Sequence, residues 1–339
     1  MSAAPRMVQW LAGTPWRGLL RPFMQGRASI FLLHRIDAPL VGVRGHNLDY
    51  VNGALDALRA SGARFVPLRT IVEAHLAGAP CEPDWIAVTM DDGFADQHQL
   101  CREAFIPQHC PVTCFPITGF LDGELWPWDD QLGYAFAHSP LQQATLDLGS
   151  GPWQLDLRTE DARLASLRRV RAACKRVSGA TLFALVTAIA AALQVRVPQE
   201  APPEHRAMSW DQARELEPLG VDFGIHTMTH RIVSQLDAAV VESELRGSWH
   251  RLQAELARPL KVVSWPTGLP GDFGVRDEQI AQRLGIQAGI STAGDYARVG
   301  TPQGEPAFTL ARFGFSTSLS RVLQQGSWIE RGKQLVRGG

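Results

Sequence analysis

Short apolar segments recur along the chain, and most are followed by a stretch in which apolar positions repeat with helical spacing. Seven such segments predict strands: Ala28–Leu33, Ile86–Met90, Val112–Ile117, Val221–Ile225, Val262–Trp265, Ala288–Ser291 and Thr309–Phe313. They are apolar at consecutive positions, which is typical of strands that helices cover on both faces. The alternation of strands and helices predicts a parallel α/β barrel, whose functional residues lie where the strands end.

The helices between these strands have recognisable ends. Leu48–Ala60 places its apolar side chains on one face and ends before Gly62. Ser209 begins a helix with a capping-box pattern, and Gly220 ends it. Two further helices are predicted at Ala238–Leu256 and Asp277–Leu284.

The segment from about residue 124 to 206 interrupts this alternation. It contains clustered aromatic residues, two predicted helices at Glu160–Val177 and Thr181–Leu193, and a proline-rich end. We therefore predict a helical insertion at about 124–206 in a barrel that spans 28–339, preceded by an N-terminal arm at 1–27.

Prolines interrupt the apolar residues of the arm, so the sequence predicts no signal peptide. No later segment reaches the roughly 18 apolar residues of a membrane span. The tryptophan, leucine and arginine residues of the arm permit peripheral contact with a membrane, although an arm packed against the barrel is the favoured interpretation.

The composition is that of a globular protein, with 45% hydrophobic and 20% charged residues and a formal net charge of -1. No overall positive field attracts nucleic acid, so nucleic acid is not an expected partner. The odd number of cysteines, at irregular spacings, indicates reduced thiols in the cytoplasm. A metal site at His109, Cys110 and Cys114 is a weaker interpretation, because Cys114 lies in an apolar strand.

Two adjacent carboxylates, Asp91 and Asp92, follow the second predicted strand, and Gly93 comes after them. Neighbouring side chains in a strand point to opposite faces, but at a strand end beside a glycine both can face one pocket. Considered alone, the segment is equally well interpreted as an exposed turn.

Two histidines, His226 and His230, follow the fourth predicted strand at a spacing that lets both imidazoles contact one ion. A Pro/Gly loop, Ser264–Gly268, follows the fifth strand and offers a backbone N–H to developing negative charge, although Pro-x-Gly is also an ordinary turn. If these strand ends meet, two histidines and one carboxylate form a three-ligand site with an open position. The second carboxylate then remains for acid–base chemistry.

These segments resemble the motifs of the polysaccharide deacetylase family, the NodB-homology carbohydrate esterases, and above all of its exopolysaccharide-associated subgroup. Thr89–Gly93 resembles the T-F-D-D-G motif with methionine in place of phenylalanine, His226–His230 matches H-[ST]-x-x-H, and Ser264–Gly268 is similar to R-x-P-[YF]-G. Weaker similarities occur at Leu33–Ile36, Trp128–Asp129, Met208–Trp210 and Leu310–Phe313.

The resemblance implies a distorted (β/α)7-type barrel that removes N-acetyl or O-acetyl groups from an amino-sugar glycan. It implies one divalent metal ion, usually Zn²⁺, although the same ligands also suit cobalt, nickel or iron. By the same resemblance, Asp92, His226 and His230 bind the metal, Asp91 is the general base, and the backbone N–H of Thr267 donates to the oxyanion.

Three positions depart from the family pattern. Ser264 replaces the arginine that orients the base, Thr267 replaces an aromatic residue, and the late Leu-x-His acid motif is absent. In the subgroup that this chain resembles, a histidine after an N-terminal strand provides the acid, and His34 is the matching position. A buried His34 bonded to backbone is the alternative interpretation.

Several other residues are predicted to contact the substrate. Arg35, Asp129, Trp265 and Pro266 are the predicted substrate-binding residues, and Trp126 and Trp128 are further candidates for stacking on sugar rings.

The expected function is deacetylation of a lipid-linked or nucleotide-linked amino-sugar precursor in surface or exopolysaccharide biosynthesis, on the cytoplasmic side of the inner membrane. One alternative is a deformylase or other deacylase acting on a lipid-linked amino sugar. Another is a catalytically silent barrel that binds glycan. The absent arginine and late histidine favour a silent barrel, whereas the complete set of predicted ligands and base opposes it.

Overall fold

The computed structural model describes residues 8, 10–12, 21–38, 43–148, 151–177, 179–300 and 307–337. Its strands are β1 (Arg27–Leu33), β2 (Arg64–Phe65), β3 (Trp85–Asp92), β4 (Val112–Pro116), β5 (Gln143–Asp147), β6 (Pro152–Asp156), β7 (Val221–Phe223), β8 (Val262–Ser264), β9 (Ala288–Ser291), β10 (Ala297–Arg298), β11 (Leu310–Ala311) and β12 (Phe313–Gly314).

The α-helices of the described residues are α1 (Leu48–Ala60), α2 (Leu68–Leu76), α3 (Ala95–Leu100), α4 (Thr118–Leu121), α5 (Trp128–His138), α6 (Glu160–Cys174), α7 (Gly179–Ala192), α8 (Trp210–Leu216), α9 (Ala238–Glu255), α10 (Val275–Arg283), α11 (Leu319–Gln325) and α12 (Trp328–Arg337). The capping box at Ser209 is present, and Gly220 adopts the left-handed conformation after the short 3-10 turn that extends α8.

Parallel strands form a distorted barrel. β1 pairs with β3, β3 with β4, and β4 with β7. A parallel bridge from Ile225 to Val263 continues the ring to β8, which pairs with β9, and β9 pairs with β11. β12, one residue beyond β11, pairs with β1 and closes the ring. The predicted barrel is therefore confirmed, and the predicted strands are present, with Thr309–Phe313 divided into β11 and β12.

The residues of the parallel strands are buried along consecutive positions because helices pack outside the ring. In β3, for example, all residues after Trp85 are buried. Residues from most strands and from the surrounding helices belong to one large apolar cluster. Since all these strands run in the same direction, their carboxyl ends meet at one mouth of the barrel.

The insertion forms a second, smaller core. Its apolar side chains come from α5, α6, α7 and the antiparallel hairpin of β5 and β6. The two helices predicted there are present with similar bounds, but the hairpin and α5 were not predicted, so the description of the insertion as helical was incomplete. The sequence signal for the hairpin is the alternation of polar and apolar residues in Gln143–Asp147, which are exposed and buried in turn.

Most of the predicted N-terminal arm, residues 1–7, 9 and 13–20, lies outside the described residues. Within the described part, Val8 and Ala12 are buried in the main apolar cluster together with Met24 and Ile329. Among the described residues, no helix is both long and apolar enough to cross a membrane.

Candidate active site

The three predicted metal ligands lie together at the mouth of the barrel. Ligand atoms of Asp92, His226 and His230 lie within 4.8 Å of one another, and all three residues are buried. Nε2 of each histidine is 3.5 Å from Oδ1 of Asp92, and this oxygen has no hydrogen-bond partner among the described residues. A buried carboxylate oxygen that faces two imidazole nitrogens at this spacing fits a divalent cation with one oxygen and two nitrogen ligands.

The backbone explains how two adjacent carboxylates reach one mouth. β3 continues through Asp92, whose φ is 79°, in the left-handed region that is costly for residues other than glycine. This turn breaks the strand alternation, so Asp91 and Asp92 both face the barrel mouth. Gly93 follows with φ 82°, and a Cβ there would lie 2.7 Å from the Pro116 Cβ, so this position requires glycine.

Hydrogen bonding sets the tautomer of His226. Its Nδ1 lies 2.7 Å from the carbonyl oxygen of Ser264. Because a carbonyl only accepts, Nδ1 carries the proton and Nε2 presents its lone pair towards Asp92. The corresponding Nδ1 of His230 is buried without a hydrogen-bond partner among the described residues.

A buried glutamate supports the loop that carries both histidines. Glu244, from α9, accepts the backbone N–H groups of Met228 and Thr229 at 2.8 and 3.0 Å and the Thr229 hydroxyl at 2.6 Å. Within the loop, Thr227 Oγ1 accepts the backbone N–H of His230 at 3.0 Å. The loop has positive φ at Thr227 and His230, so these contacts hold a backbone shape that would otherwise be unfavourable.

The predicted base, Asp91, is held by an arginine. Arg312 donates to its two carboxylate oxygens at 2.8 and 2.7 Å, and the Ser264 hydroxyl donates to one of them at 3.0 Å. Burial resists ionisation of Asp91, but the charge and hydrogen bonds of Arg312, together with the charges of His226 and His34, outweigh burial and hold the pKa of this carboxyl below its ordinary value. Asp91 is therefore a carboxylate at neutral pH.

This role of Arg312 was not predicted from the sequence. Ser264 stands where the family has a base-orienting arginine, yet a guanidinium from between β11 and β12 reaches the same carboxylate, and the Ser264 hydroxyl joins the contact. Arg312 is 0% exposed. Its position inside the apolar run Leu310–Phe313 was the available signal, because a buried arginine requires an acidic partner.

His34 lies at the same mouth, directly after β1. The last residue pair between β1 and β3 is Leu33 with Met90, so His34 is level with Asp91 in the same register. Residues level with each other on neighbouring strands project to the same face. The charge of His34 acts on both Asp91 and Asp92. His34 is exposed, so the alternative of a buried histidine is wrong.

A cavity of about 410 Å³ begins at Asp92 and His34 and extends to the insertion. Two of the predicted substrate-binding residues, Arg35 and Asp129, line it. Arg35 is largely occupied by protein contacts, since it pairs with Asp96 at 2.9 Å and stacks over the Phe94 ring at 3.8 Å. The carboxylate of Asp129 is partly exposed and raises the pKa of His230, although burial lowers that pKa overall.

The other predicted substrate-binding residues are buried in the protein. Trp265 is fully buried, stacks on Phe273, and donates its indole N–H to the carbonyl oxygen of Phe308. Pro266 is buried and does not line the cavity. Trp126 and Trp128 are 3% and 0% exposed and belong to apolar clusters. Burial of these aromatic rings stabilises the fold, so they are not faces on which a sugar stacks.

The predicted oxyanion donor, Thr267, has φ 59° in the turn after β8. Its carbonyl oxygen accepts the Thr292 hydroxyl at 2.7 Å, and its own hydroxyl donates to Asp272. Its backbone N–H makes no hydrogen bond within the described residues, so it remains available as a donor.

The cysteine alternative does not form a metal site among the described residues. Cys110 and Cys114 are buried and free, and the group of potential ligands found in the described part of the chain is that of Asp92, His226 and His230. Burial raises the pKa of both thiols, which is typical of structural cysteines.

Comparisons with known proteins agree with this fold. Residues 175–289 match the family model of polysaccharide deacetylases. A search of curated proteins gives no match. The solved structures that are similar include the Streptococcus pyogenes deacetylase PplD in complex with acetate, at 15% identity and a TM-score of 0.57. That match covers 89% of this chain and 98% of PplD.

Two other solved structures have the same architecture. IcaB from Ammonifex degensii has 15% identity and a TM-score of 0.56, over 88% of this chain and 97% of that one. A de-N-acetylase from Aggregatibacter actinomycetemcomitans has 12% identity and a TM-score of 0.52, over 85% and 94%. At these identities the similarity establishes the distorted barrel fold.

Proposed function

We propose that this chain is a member of the polysaccharide deacetylase family, a hydrolase of non-peptide carbon–nitrogen bonds, and that it removes N-acetyl groups from an amino-sugar-containing glycan or glycolipid precursor. The observation that carries the proposal is the contrast between two adjacent carboxylates. Asp92 faces two imidazole nitrogens, whereas Asp91 faces Arg312 and Ser264. One carboxylate is thus suited to bind a cation and the other to accept a proton.

Asp92, His226 and His230 would hold the divalent cation, for which Zn²⁺ is the proposed identity. When bound, such a cation acidifies water and polarises an acyl carbonyl. Asp91 remains ionised because of Arg312, and its Oδ1 keeps a free lone pair to accept a proton from the attacking water.

The remaining steps use two groups at the rim of the site. The Thr267 backbone N–H donates to the oxyanion of the tetrahedral intermediate, and one donor of this kind contributes about 3 kcal/mol to transition-state stabilisation. His34 donates a proton to the nitrogen as the carbon–nitrogen bond breaks, so that the product leaves as an amine rather than an amide anion.

We also propose that the acylated sugar is part of a lipid-linked or nucleotide-linked precursor of exopolysaccharide and that the reaction occurs in the cytoplasm. The cavity supports the precursor proposal, because its insertion wall combines apolar side chains with guanidinium groups, including Phe136, Leu167, Arg163 and Arg171. An apolar surface next to cations suits a substrate that carries both a phosphate and an apolar portion.

The test is acyl release from N-acetylated, N-formylated and O-acetylated amino sugars, in free and phosphate-linked forms, before and after metal chelation. We expect acetate from the N-acetyl compounds, loss of activity with the chelator, and recovery with Zn²⁺. Formate release alone would identify a deformylase instead, and no release from any compound would favour a glycan-binding barrel.

Two variants separate the roles of the two carboxylates. Asp91→Asn should keep the bound metal and lose activity by about 10²- to 10⁴-fold, the usual contribution of a general base. Asp92→Asn should lose the metal itself, as measured by elemental analysis. Equal metal loss in both variants would contradict the assignment of Asp91 as the base.

A further inference from the structure

We infer that Gln97 is a positioning residue that holds the segment of the proposed acid, His34, beside the segment of the proposed base, Asp91. This inference rests on the function proposed above. Gln97 lies on α3 and is 0% exposed. Neither the motifs nor the metal site includes it.

The side-chain amide of Gln97 connects two strand ends. Its Nε2 donates to the carbonyl oxygen of His34 at 2.8 Å and to the carbonyl oxygen of Asp91. Its Oε1 accepts the Cys114 thiol at 3.1 Å. Both amide hydrogens and the amide oxygen are therefore used inside the protein.

The reason for this contact is that β1 and β3 stop pairing at this point. Their last residue pair is Leu33 with Met90, so the next carbonyl groups no longer bond between these two strands. Buried carbonyl groups require donors. Gln97 supplies one donor to each strand and thereby keeps their ends at a constant separation.

The same helix holds the His34 segment at further points. Asp96 accepts the backbone N–H of Ile36 at 3.0 Å and pairs with Arg35 at 2.9 Å. The helix itself is anchored by the Ala95 backbone N–H, which donates to the carbonyl oxygen of Arg206 at 2.9 Å. The acid segment thus depends on α3 for its position.

The two connected residues do not depend equally on Gln97. The Asp91 carboxylate has its own contacts with Arg312 and Ser264. The His34 side chain makes no hydrogen bond within the described residues, so only its backbone determines where the imidazole lies. Loss of Gln97 should therefore displace the acid more than the base.

Leaving-group chemistry separates these two effects. Hydrolysis of an amide requires an acid that protonates the departing nitrogen. The leaving group of a 4-nitrophenyl ester, 4-nitrophenolate, departs without protonation. A displaced acid slows amide hydrolysis alone, and a displaced base slows both reactions.

The experiment compares Gln97→Met with wild type in the full-length, metal-loaded protein. We expect kcat on the N-acetyl sugar to fall about 10- to 100-fold, part of the usual contribution of a general acid. The rate on 4-nitrophenyl acetate should change less than about threefold. His34→Gln should show the same selectivity with a larger loss. Gln99→Met, at an exposed position on the same helix, is the matched control and should resemble wild type.

A second measurement does not depend on turnover. In the metal-free protein, Gln97→Met should accelerate amide hydrogen exchange at 34–37 more than at 89–92. Gln97→Asn keeps the amide donors, but its side chain is too short to reach both carbonyl groups. It should therefore also accelerate exchange more at 34–37 than at 89–92, and it replaces Gln97→Met if that variant does not fold.

Equal losses on the amide and the ester, or unchanged amide turnover, would overturn the role of Gln97. If His34→Gln leaves amide hydrolysis unchanged, the assignment of His34 in the proposed function fails instead. The two failures are thus distinguishable.

Discussion

The barrel and the insertion face the same cavity but are stabilised in different ways. At the barrel mouth, the reactive side chains are held by buried charged contacts, such as Arg312 with Asp91 and Glu244 with the 226–230 loop. The insertion has a separate apolar core, and two of its cavity arginines bond to backbone carbonyl groups: Arg163 to Phe136, Ser139 and Leu141, and Arg171 to Asp129. A third, Arg158, pairs with Asp156 at the surface.

This difference indicates a division of roles. Buried ion pairs fix the protonation and orientation of the groups that react, so changes there should lower kcat or metal affinity. The insertion shapes the far wall of the cavity, so changes there should raise KM. Three variants test this division and a fourth tests a surface ion pair outside both regions, from the largest expected effect to the smallest.

Arg312→Met should have the largest effect, because it leaves the Asp91 carboxylate buried without its cation. Breaking a buried pair in this way costs about 3–5 kcal/mol of unfolding free energy. In Arg312→Met protein that does fold, burial should raise the pKa of Asp91. Its kcat should be lower than that of wild type by about 10²-fold or more. Denaturant unfolding and steady-state kinetics measure the two effects, and Arg298→Met, at an exposed arginine on β10, is the control. Wild-type stability of Arg312→Met would contradict the buried pair.

Glu244→Gln should weaken metal binding, because the amide presents N–H groups to the backbone donors of the 226–230 loop. We expect a loss of about 10- to 100-fold in affinity, as for other residues that support metal ligands indirectly. Competition with a zinc indicator measures this directly. Glu242→Gln, on the same helix but paired with Arg246 at the surface, should retain wild-type affinity.

Arg171→Gln tests the insertion. Arg171 donates to the Asp129 carbonyl oxygen at 3.2 and 2.6 Å, and Asp129 lines the cavity. Loss of a charged hydrogen bond of about 1.5 kcal/mol corresponds to a KM increase of about tenfold, with kcat nearly unchanged. The neighbouring exposed Arg169→Gln should leave both constants unchanged. A lower kcat at constant KM would show that the insertion takes part in chemistry.

Asp122→Asn should have the smallest effect. Burial resists ionisation of Asp122, but Arg251 and Trp210 outweigh it and lower its pKa. Because the pKa of Asp122 is lower in the folded state, its ionisation stabilises the protein above the ordinary aspartate pKa of about 4. This stabilisation is lost as the pH falls further. We expect Asp122→Asn to cost about 0.5 kcal/mol at pH 7, as for exposed pairs, and its difference from wild type to shrink near pH 3. Unfolding curves at both pH values measure this, and a constant difference would exclude the ionic contribution.

Much of the fold was predictable from the chain. Consecutive apolar positions such as Val262–Ser264 identified the parallel strands, and the capping box at Ser209 marked a helix start. These signals are local, because strand burial and helix capping depend on neighbouring residues. The hairpin of β5 and β6 was missed because its strands lie in a small, half-exposed sheet where alternation is short.

The candidate site was predictable in part. Asp91, Asp92, His226 and His230 follow strands, and the parallel topology brings strand ends together. Trp265 was misassigned because a tryptophan at a strand end has the same sequence appearance whether it faces solvent or core.

The sequence by itself determined where the barrel strands lie and that Asp91, Asp92, His226 and His230 stand at or just after their ends, because runs of consecutive apolar residues mark the strands. Only the tertiary structure decided which partners those side chains have. Arg312 reaches Asp91 across 221 positions of the chain, and Gln97 joins two strands that the sequence shows only separately. Such contacts depend on barrel closure and register, which are properties of the folded chain and not of any local segment.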